Sequence, residues 1–115
     1  MTRRRILIVE DEILLGDECA SHVENAGFEV AGPYSALEDV PEDLAGVAGA
    51  ILDINVRGAS TYRLIDRLLE MNIPVILYTG YDTGHDPQRY ATLPRVTKPN
   101  PCLDAVQELV RQLAN

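Results

Sequence analysis

The sequence predicts an α/β fold in which five short strands alternate with helices and form one parallel sheet covered on both faces. Three observations predict it: short aliphatic runs recur along the chain, stretches with helical spacing separate them, and Gly, Pro, Ser or Asn residues stand at the junctions. Ile6-Leu7-Ile8-Val9 is a continuous apolar run, as a strand buried on both faces requires. From Glu12 to Asn25 the spacing becomes helical, with Ile13, Ala20 and Val23 on one face and Gly27 as the stop. Phe28 to Ala31 reads as the second strand, closed by Gly32-Pro33. Ser35 is placed to cap a short second helix over Ala36 to Leu44, which Pro41 weakens.

Gly49 to Ile54 is the third strand, and Ser60 is placed to cap a helix carrying Leu64, Ile65, Leu68 and Leu69. Pro74 to Tyr78 is the fourth strand, with its proline at the start, where a missing donor is tolerated. The stretch from Asp82 to Pro94 holds Gly84, Pro87 and Pro94 and few apolar residues at helical spacing, so a fourth helix there is short or irregular. Arg95 to Thr97 is the fifth strand. A last helix runs from Pro101 to about Leu113, with Leu103, Val106, Leu109, Val110 and Leu113 as its stripe. For five strands joined by right-handed crossovers, the flavodoxin-like order 2-1-3-4-5 is the common solution. Its ligand crevice opens at the carboxyl ends of the strands, where the order reverses.

Composition bounds the rest. A chain of 115 residues fits one domain over residues 1–115, with 46% hydrophobic and 24% charged residues. The net charge of −8 argues against a grip on nucleic acid or anionic lipid, and Arg3, Arg4 and Arg5 read as a solubilising tip. No apolar run approaches the ~20 residues that span a bilayer, and no signal peptide is recognisable, so a cytoplasmic protein is expected. Cys19 and Cys102 lack metal-ligand or paired spacing and read as free thiols in a reducing cytosol; His22 and His85 read as solvated.

The strand ends carry the chemistry. Glu10-Asp11 follows the first strand, Asp53 the third, Thr79 the fourth and Lys98 the fifth. Three carboxylates brought together need a counter-ion, and a few hard oxygen ligands open to solvent favour Mg²⁺. Asp11 and Asp53 are the expected direct ligands, Glu10 acts through water, and the Asn55 carbonyl adds an oxygen. An aspartate beside a divalent cation can attack phosphorus and form an acyl phosphate. Asp53 is placed for this role. Thr79 would then bind one phosphoryl oxygen and Lys98 another, while the N–H groups of Ile54 and Gly80 complete a cradle.

The segments ILIVEDE, AILDINV, LYTGY and VTKP, in this order, resemble the signature segments of response-regulator receiver domains, whose fold is termed CheY-like. The resemblance spans the whole chain. It implies that the aspartate at position 53 takes a phosphoryl group from a sensor histidine kinase or a small donor such as acetyl phosphate. It also implies a switch that catalyses only its own phosphorylation and dephosphorylation, rather than a turnover enzyme. Typical receivers carry an aromatic residue three positions before the lysine; Arg95 stands there, so Tyr81 or Tyr78 is the expected substitute in the switch. LYTGY with the broken fourth helix is similar to the alphaproteobacterial single-domain receivers named for a "FAT GUY" motif, whose kinases often belong to the HWE/HisKA2 class. The match is partial, because Leu77-Tyr78 stands where Phe-Ala is usual. The expected function is therefore a phosphorelay receiver that signals by protein contact or drains phosphate from a kinase. The alternatives are a degenerate, binding-only receiver and an aspartyl-phosphate hydrolase on the same scaffold. Nucleotide binding is disfavoured, since neither GxGxxG after the first strand nor GxxxxGK[ST] is present.

Overall fold

The computed structural model describes residues 4–80 and 86–114. Its main sheet has strands β1 (Arg5–Val9), β2 (Glu29–Tyr34), β3 (Val47–Leu52), β4 (Val75–Thr79) and β5 (Arg95–Thr97). All neighbours are parallel and the order is 2-1-3-4-5, the doubly wound arrangement expected. Three α-helices accompany it: α1 (Ile13–Asn25), α2 (Tyr62–Glu70) and α3 (Cys102–Leu113).

Alternation along the inner strands divides the core into two layers. Ile6, Ile8, Ile51, Ile76 and Tyr78 pack with Cys19 and Val23 of α1 and with Cys102, Ala105, Val106 and Leu109 of α3. On the other face Leu7, Val9, Ala50, Leu52, Val75 and Leu77 pack with Leu64, Ile65 and Leu68 of α2 and with Tyr90. A strand that feeds two cores must be apolar at every position, which is why Ile6–Val9 shows no polar alternation. Gly49 permits the approach of α3, because a Cβ there would lie 2.9 Å from Leu109 Cδ1. Gly27, at φ +94°, ends α1 in the left-handed region open to glycine, and the Phe28 N–H returns to the Val23 carbonyl at 3.2 Å.

Several expectations are corrected. The second helix is reduced to a 3₁₀ turn at Leu37–Asp39, and Ser35 caps nothing; Pro41 lacks the N–H that a continuing helix needs. In place of an ordinary fourth helix, the described residues hold a 3₁₀ turn at Gln88–Tyr90, in keeping with the irregularity expected there. β2 continues past Gly32-Pro33 through a register shift, and the Glu10 N–H donates to the Tyr34 carbonyl at 2.9 Å. The buried face of α1 is Gly16, Cys19 and Val23, with Ala20 packed beside it as expected, whereas Ile13 is 64% exposed. Likewise, Leu103 lies outside the stripe of α3, whose buried residues are Cys102, Ala105, Val106 and Leu109.

Ser60 is not a cap but part of a two-stranded hairpin, pairing with Asn55; α2 begins one residue later than expected, after Thr61. Arg4 and Arg5 are not a free tip. The Arg4 guanidinium lies 5.2 Å from the Phe28 ring centre, and Arg5 donates to the Ala45 carbonyl at 2.8 Å. Cys19 and Cys102 are not free thiols: the fold brings α1 beside α3, with their Cα atoms 5.6 Å apart, and the two form a disulfide. A separation of 83 residues hides this pairing from any reading of local spacing. In a reducing compartment the same two thiols would lie side by side without the bond.

Candidate functional site

β1, β3, β4 and β5 end at the same edge of the sheet, and each presents a polar residue there. The Asp53 N–H donates to the Val9 carbonyl at 3.1 Å, and the Lys98 N–H donates to the Thr79 carbonyl at 2.8 Å. Ladder bonds thus fix the end of β3 beside the Glu10-Asp11 loop and the lysine beside the threonine. A cavity of about 490 Å³ opens over them, with Asp53, Thr79, Gly80 and Lys98 among its lining.

Asp53 is buried and held on both oxygens. Its Oδ1 accepts from the Thr79 hydroxyl at 2.8 Å and from the Asn55 N–H at 3.2 Å. Its Oδ2 accepts from Lys98 Nζ at 2.8 Å. Lys98 also reaches Glu10 Oε1 at 2.7 Å and Glu12 Oε2 at 2.9 Å, so one ammonium serves three carboxylates. Burial by itself would depress the Lys98 ammonium, but its hydrogen bonds to Asp53, Glu10 and Glu12 outweigh that and raise it above the ordinary lysine value. Burial pushes the Glu10 carboxyl up, against the opposing pull of Lys98. The Arg57 N–H, 2.8 Å from Asp11 Oδ2, holds the Asp11 carboxyl below its usual range.

One carboxylate oxygen from each of Glu10, Asp11 and Asp53 lies within 4.8 Å of the others. Glu10 Oε1 is buried with no well-directed hydrogen bond, only the ion-pair contact with Lys98. An under-satisfied buried carboxylate oxygen beside two more carboxylates is a donor set that fits a hard divalent cation such as Mg²⁺.

The other expected residues are distributed as follows. Gly80 lines the cavity, and a Cβ there would meet no atom within 4 Å, leaving its backbone open to the cavity. Ile54 lines it too and is buried, while Asn55 opens the hairpin and its Oδ1 accepts from the Gly58 N–H at 3.0 Å. Tyr78 belongs to the α1/α3 layer; its hydroxyl donates to the Asn100 carbonyl at 2.9 Å, and Lys98 Nζ lies 5.5 Å from its ring centre. Arg95 pairs with Asp86 at 2.9 Å. Tyr81 lies outside the described residues.

Sequence reasoning missed Glu12, Tyr62 and Asp86, which all line the cavity. Glu12 had a signal, as the third acid of the Glu10-Asp11-Glu12 run. Asp86 had none, since its partners Tyr62 and Arg95 come from α2 and β5.

No family model matches the chain. It is 30% identical over 114 residues to the regulatory protein VanR of Enterococcus faecium, covering 95% of this chain and 49% of VanR. The chain thus spans about half the length of the curated relative it matches. A response regulator receiver protein of Sinorhizobium medicae superposes with a TM-score of 0.73 at 22% identity, over 97% of this chain and 95% of that one. The chain belongs to the response-regulator receiver domains. SdrG of Sphingomonas melonis superposes with a TM-score of 0.80 at 26% identity, over 98% of each chain. Among the described residues of this receiver, no helix is long and apolar enough to cross a membrane.

Proposed function

We propose that this receiver is a phosphoacceptor: Asp53 takes a phosphoryl group from a sensor histidine kinase in a Mg²⁺-dependent reaction. The acyl phosphate then changes how the domain binds a protein partner, or drains phosphate from the kinase. The observation that carries the reading is the Asp53 carboxylate, held between the Thr79 hydroxyl and the Lys98 ammonium, each at 2.8 Å, beneath an open cavity. In structural ion-pair networks charges are matched and enclosed. Here Lys98 is outnumbered by carboxylates, and the cavity admits a further group.

Both Asp53 oxygens already accept hydrogen bonds, so a phosphoryl group must displace a donor. Thr79 is fixed by its strand, whereas the lysine ammonium is a point charge on a flexible stem that can follow a phosphoryl oxygen. In this proposal Lys98 moves from Asp53 Oδ2 to the incoming phosphoryl group and neutralises one equatorial oxygen. The Thr79 hydroxyl and the N–H groups of Ile54 and Gly80 bind the others. Glu10, Asp11 and Asp53 would hold Mg²⁺, with the Asn55 carbonyl as a further donor; when bound, it neutralises phosphoryl charge. The domain catalyses only its own phosphorylation and dephosphorylation. Its proposed setting is the cytoplasm, where kinase and donor are found, with no role for nucleic acid or membrane binding. An HWE/HisKA2-class kinase is the proposed partner class, from the LYTGY segment and the broken fourth helix.

The test is intact-mass measurement after incubation with Mg²⁺ and acetyl phosphate. A single phosphoryl adduct is expected in the wild type and none in Asp53→Asn. Absence of an adduct in the wild type, with acetyl phosphate and with a phosphorylated kinase, would refute the reading.

A further inference from the structure

Of the two cavity-lining acids outside the donor set for a cation, Asp86 is paired with Arg95, whereas Glu12 reaches Lys98. Glu12 occupies the N-cap position of α1 and makes no side-chain capping bond. Its own N–H donates to Glu10 Oε2 at 3.0 Å, which anchors the backbone, and its carboxylate reaches Lys98 Nζ at 2.9 Å. The three carboxylates on Lys98 differ in burial. The Glu10 side chain is 3% exposed, that of Asp53 10% and that of Glu12 60%. Solvent screens the Glu12 contact most, so it yields first when Lys98 changes partner. Glu12 also lines the cavity, so its charge faces any group that enters.

We propose that Glu12 is a positioning residue that competes with an incoming phosphoryl group for Lys98, and so makes the pocket discriminate against the more negatively charged small donors. This inference rests on Asp53 being the phosphoacceptor. In the step concerned an Asp53 carboxylate oxygen forms a bond to phosphorus, and the bond from phosphorus to the leaving group breaks. Acetyl phosphate releases acetate, and phosphoramidate, protonated on nitrogen, releases ammonia. No electrons are exchanged with another reagent. Lys98 must leave carboxylate partners to meet the phosphoryl oxygens, and Glu12 opposes this twice, by holding the ammonium and by repelling the donor. Acetyl phosphate carries about two negative charges near neutral pH and phosphoramidate about one, so repulsion weighs more on the first.

The experiment compares growth of the intact-mass adduct at sub-saturating acetyl phosphate and phosphoramidate, with Mg²⁺, in wild type, Glu12→Gln and Glu24→Gln. Glu24 is an exposed acid of the same helix, so its variant removes the same charge away from the cavity. Glu12→Gln is expected to label about two to five times faster with acetyl phosphate, the size of effect a solvent-screened charge contact gives. The gain should be smaller with phosphoramidate, and both gains should shrink as salt is raised. A change in packing alone would follow neither donor charge nor salt. Equal rates in wild type and Glu12→Gln, equal gains with both donors, or the same gain in Glu24→Gln would overturn the role of Glu12 and leave Asp53 as acceptor. Labelling of Glu12→Gln where the wild type resists would support both readings. No adduct in either protein with either donor would overturn the role of Glu12, and no adduct with a phosphorylated kinase as well would refute both.

Discussion

The two faces of the sheet are covered in different ways. One carries α1 and α3, two long helices joined through Cys19 and Cys102. The other carries α2 and two 3₁₀ turns, and much of its cover is made by individual long-range contacts. Tyr90, 1% exposed, is the central piece. Its hydroxyl donates toward Asp66 Oδ1 at 2.6 Å and the Tyr62 carbonyl at 3.0 Å, while the Arg89 guanidinium lies 4.6 Å from its ring centre and pairs with Asp66 at 3.0 Å. Beside it, Asp86 joins the Tyr62 hydroxyl at 3.1 Å to Arg95 at 2.9 Å, tying α2 to β5 across the rim of the pocket. Long helices cover a sheet by repetition; short turns cover it by specific anchors. Loss of one residue should therefore cost more on the second face than on the first.

Three measurements can break or sharpen that contrast. The largest expected effect is Tyr90→Ala, which empties an aromatic site and strips Asp66 of a partner; about 4 kcal/mol of stability should be lost in urea unfolding. A loss below that of a single Leu→Ala on α3 would show that the turns are not held by their anchor. Next, reduction of the Cys19–Cys102 bond, which closes a loop with a sequence separation of 83, should lower stability by roughly 3 kcal/mol. If thiol titration of the denatured, unreduced protein finds two free cysteines, the first face relies on packing alone and the contrast widens.

The smallest effect is a pH dependence. Burial, then the hydrogen bond to Asp66, pushes the Tyr90 hydroxyl up to about 12 from an ordinary value of 10.0. The folded state thus keeps a proton that the unfolded chain releases near pH 10. The associated stability is complete below about pH 10 and is lost as pH rises through about 12. Tyrosinate absorbance should show a last ionisation step that vanishes in Tyr90→Phe. Survival of that step in the variant would assign it to another tyrosine.

The same contrast governs what the sequence made legible. The strands, α2 and most of α3 could be read because each presents apolar residues to a layer at a fixed period. The switch-point rule then places Glu10, Asp11, Asp53, Thr79 and Lys98 at one edge of the sheet. The first turn of α1 misled, because Ile13 keeps the helical period but is exposed. Where a helix gives way to a turn, as at Leu37–Asp39, periodicity has nothing to report and Pro41 decides. Glu12 and Asp86 were missed because their contacts are made with other elements, Glu12 with Lys98 and Asp86 with Tyr62, which only the assembled fold brings near. The cysteine pair escaped for the same reason.

Thr61 joins the end of β3 to the second face. Instead of capping α2, its hydroxyl binds the carbonyls of Asp53 and Ile54 at 2.8 and 3.2 Å, and its N–H returns to the Ile54 carbonyl at 2.8 Å. Its own carbonyl accepts the Ile65 N–H at 2.9 Å, within the first turns of the helix. The backbone at Asp53 and Ile54 is therefore tied by hydrogen bonds to the root of α2. For anyone attaching a reporter to this domain, α2 is thus the element most directly tied to the backbone at Asp53. A probe further along α2, beyond the cavity-lining Tyr62, would register a displacement of that backbone through the helix.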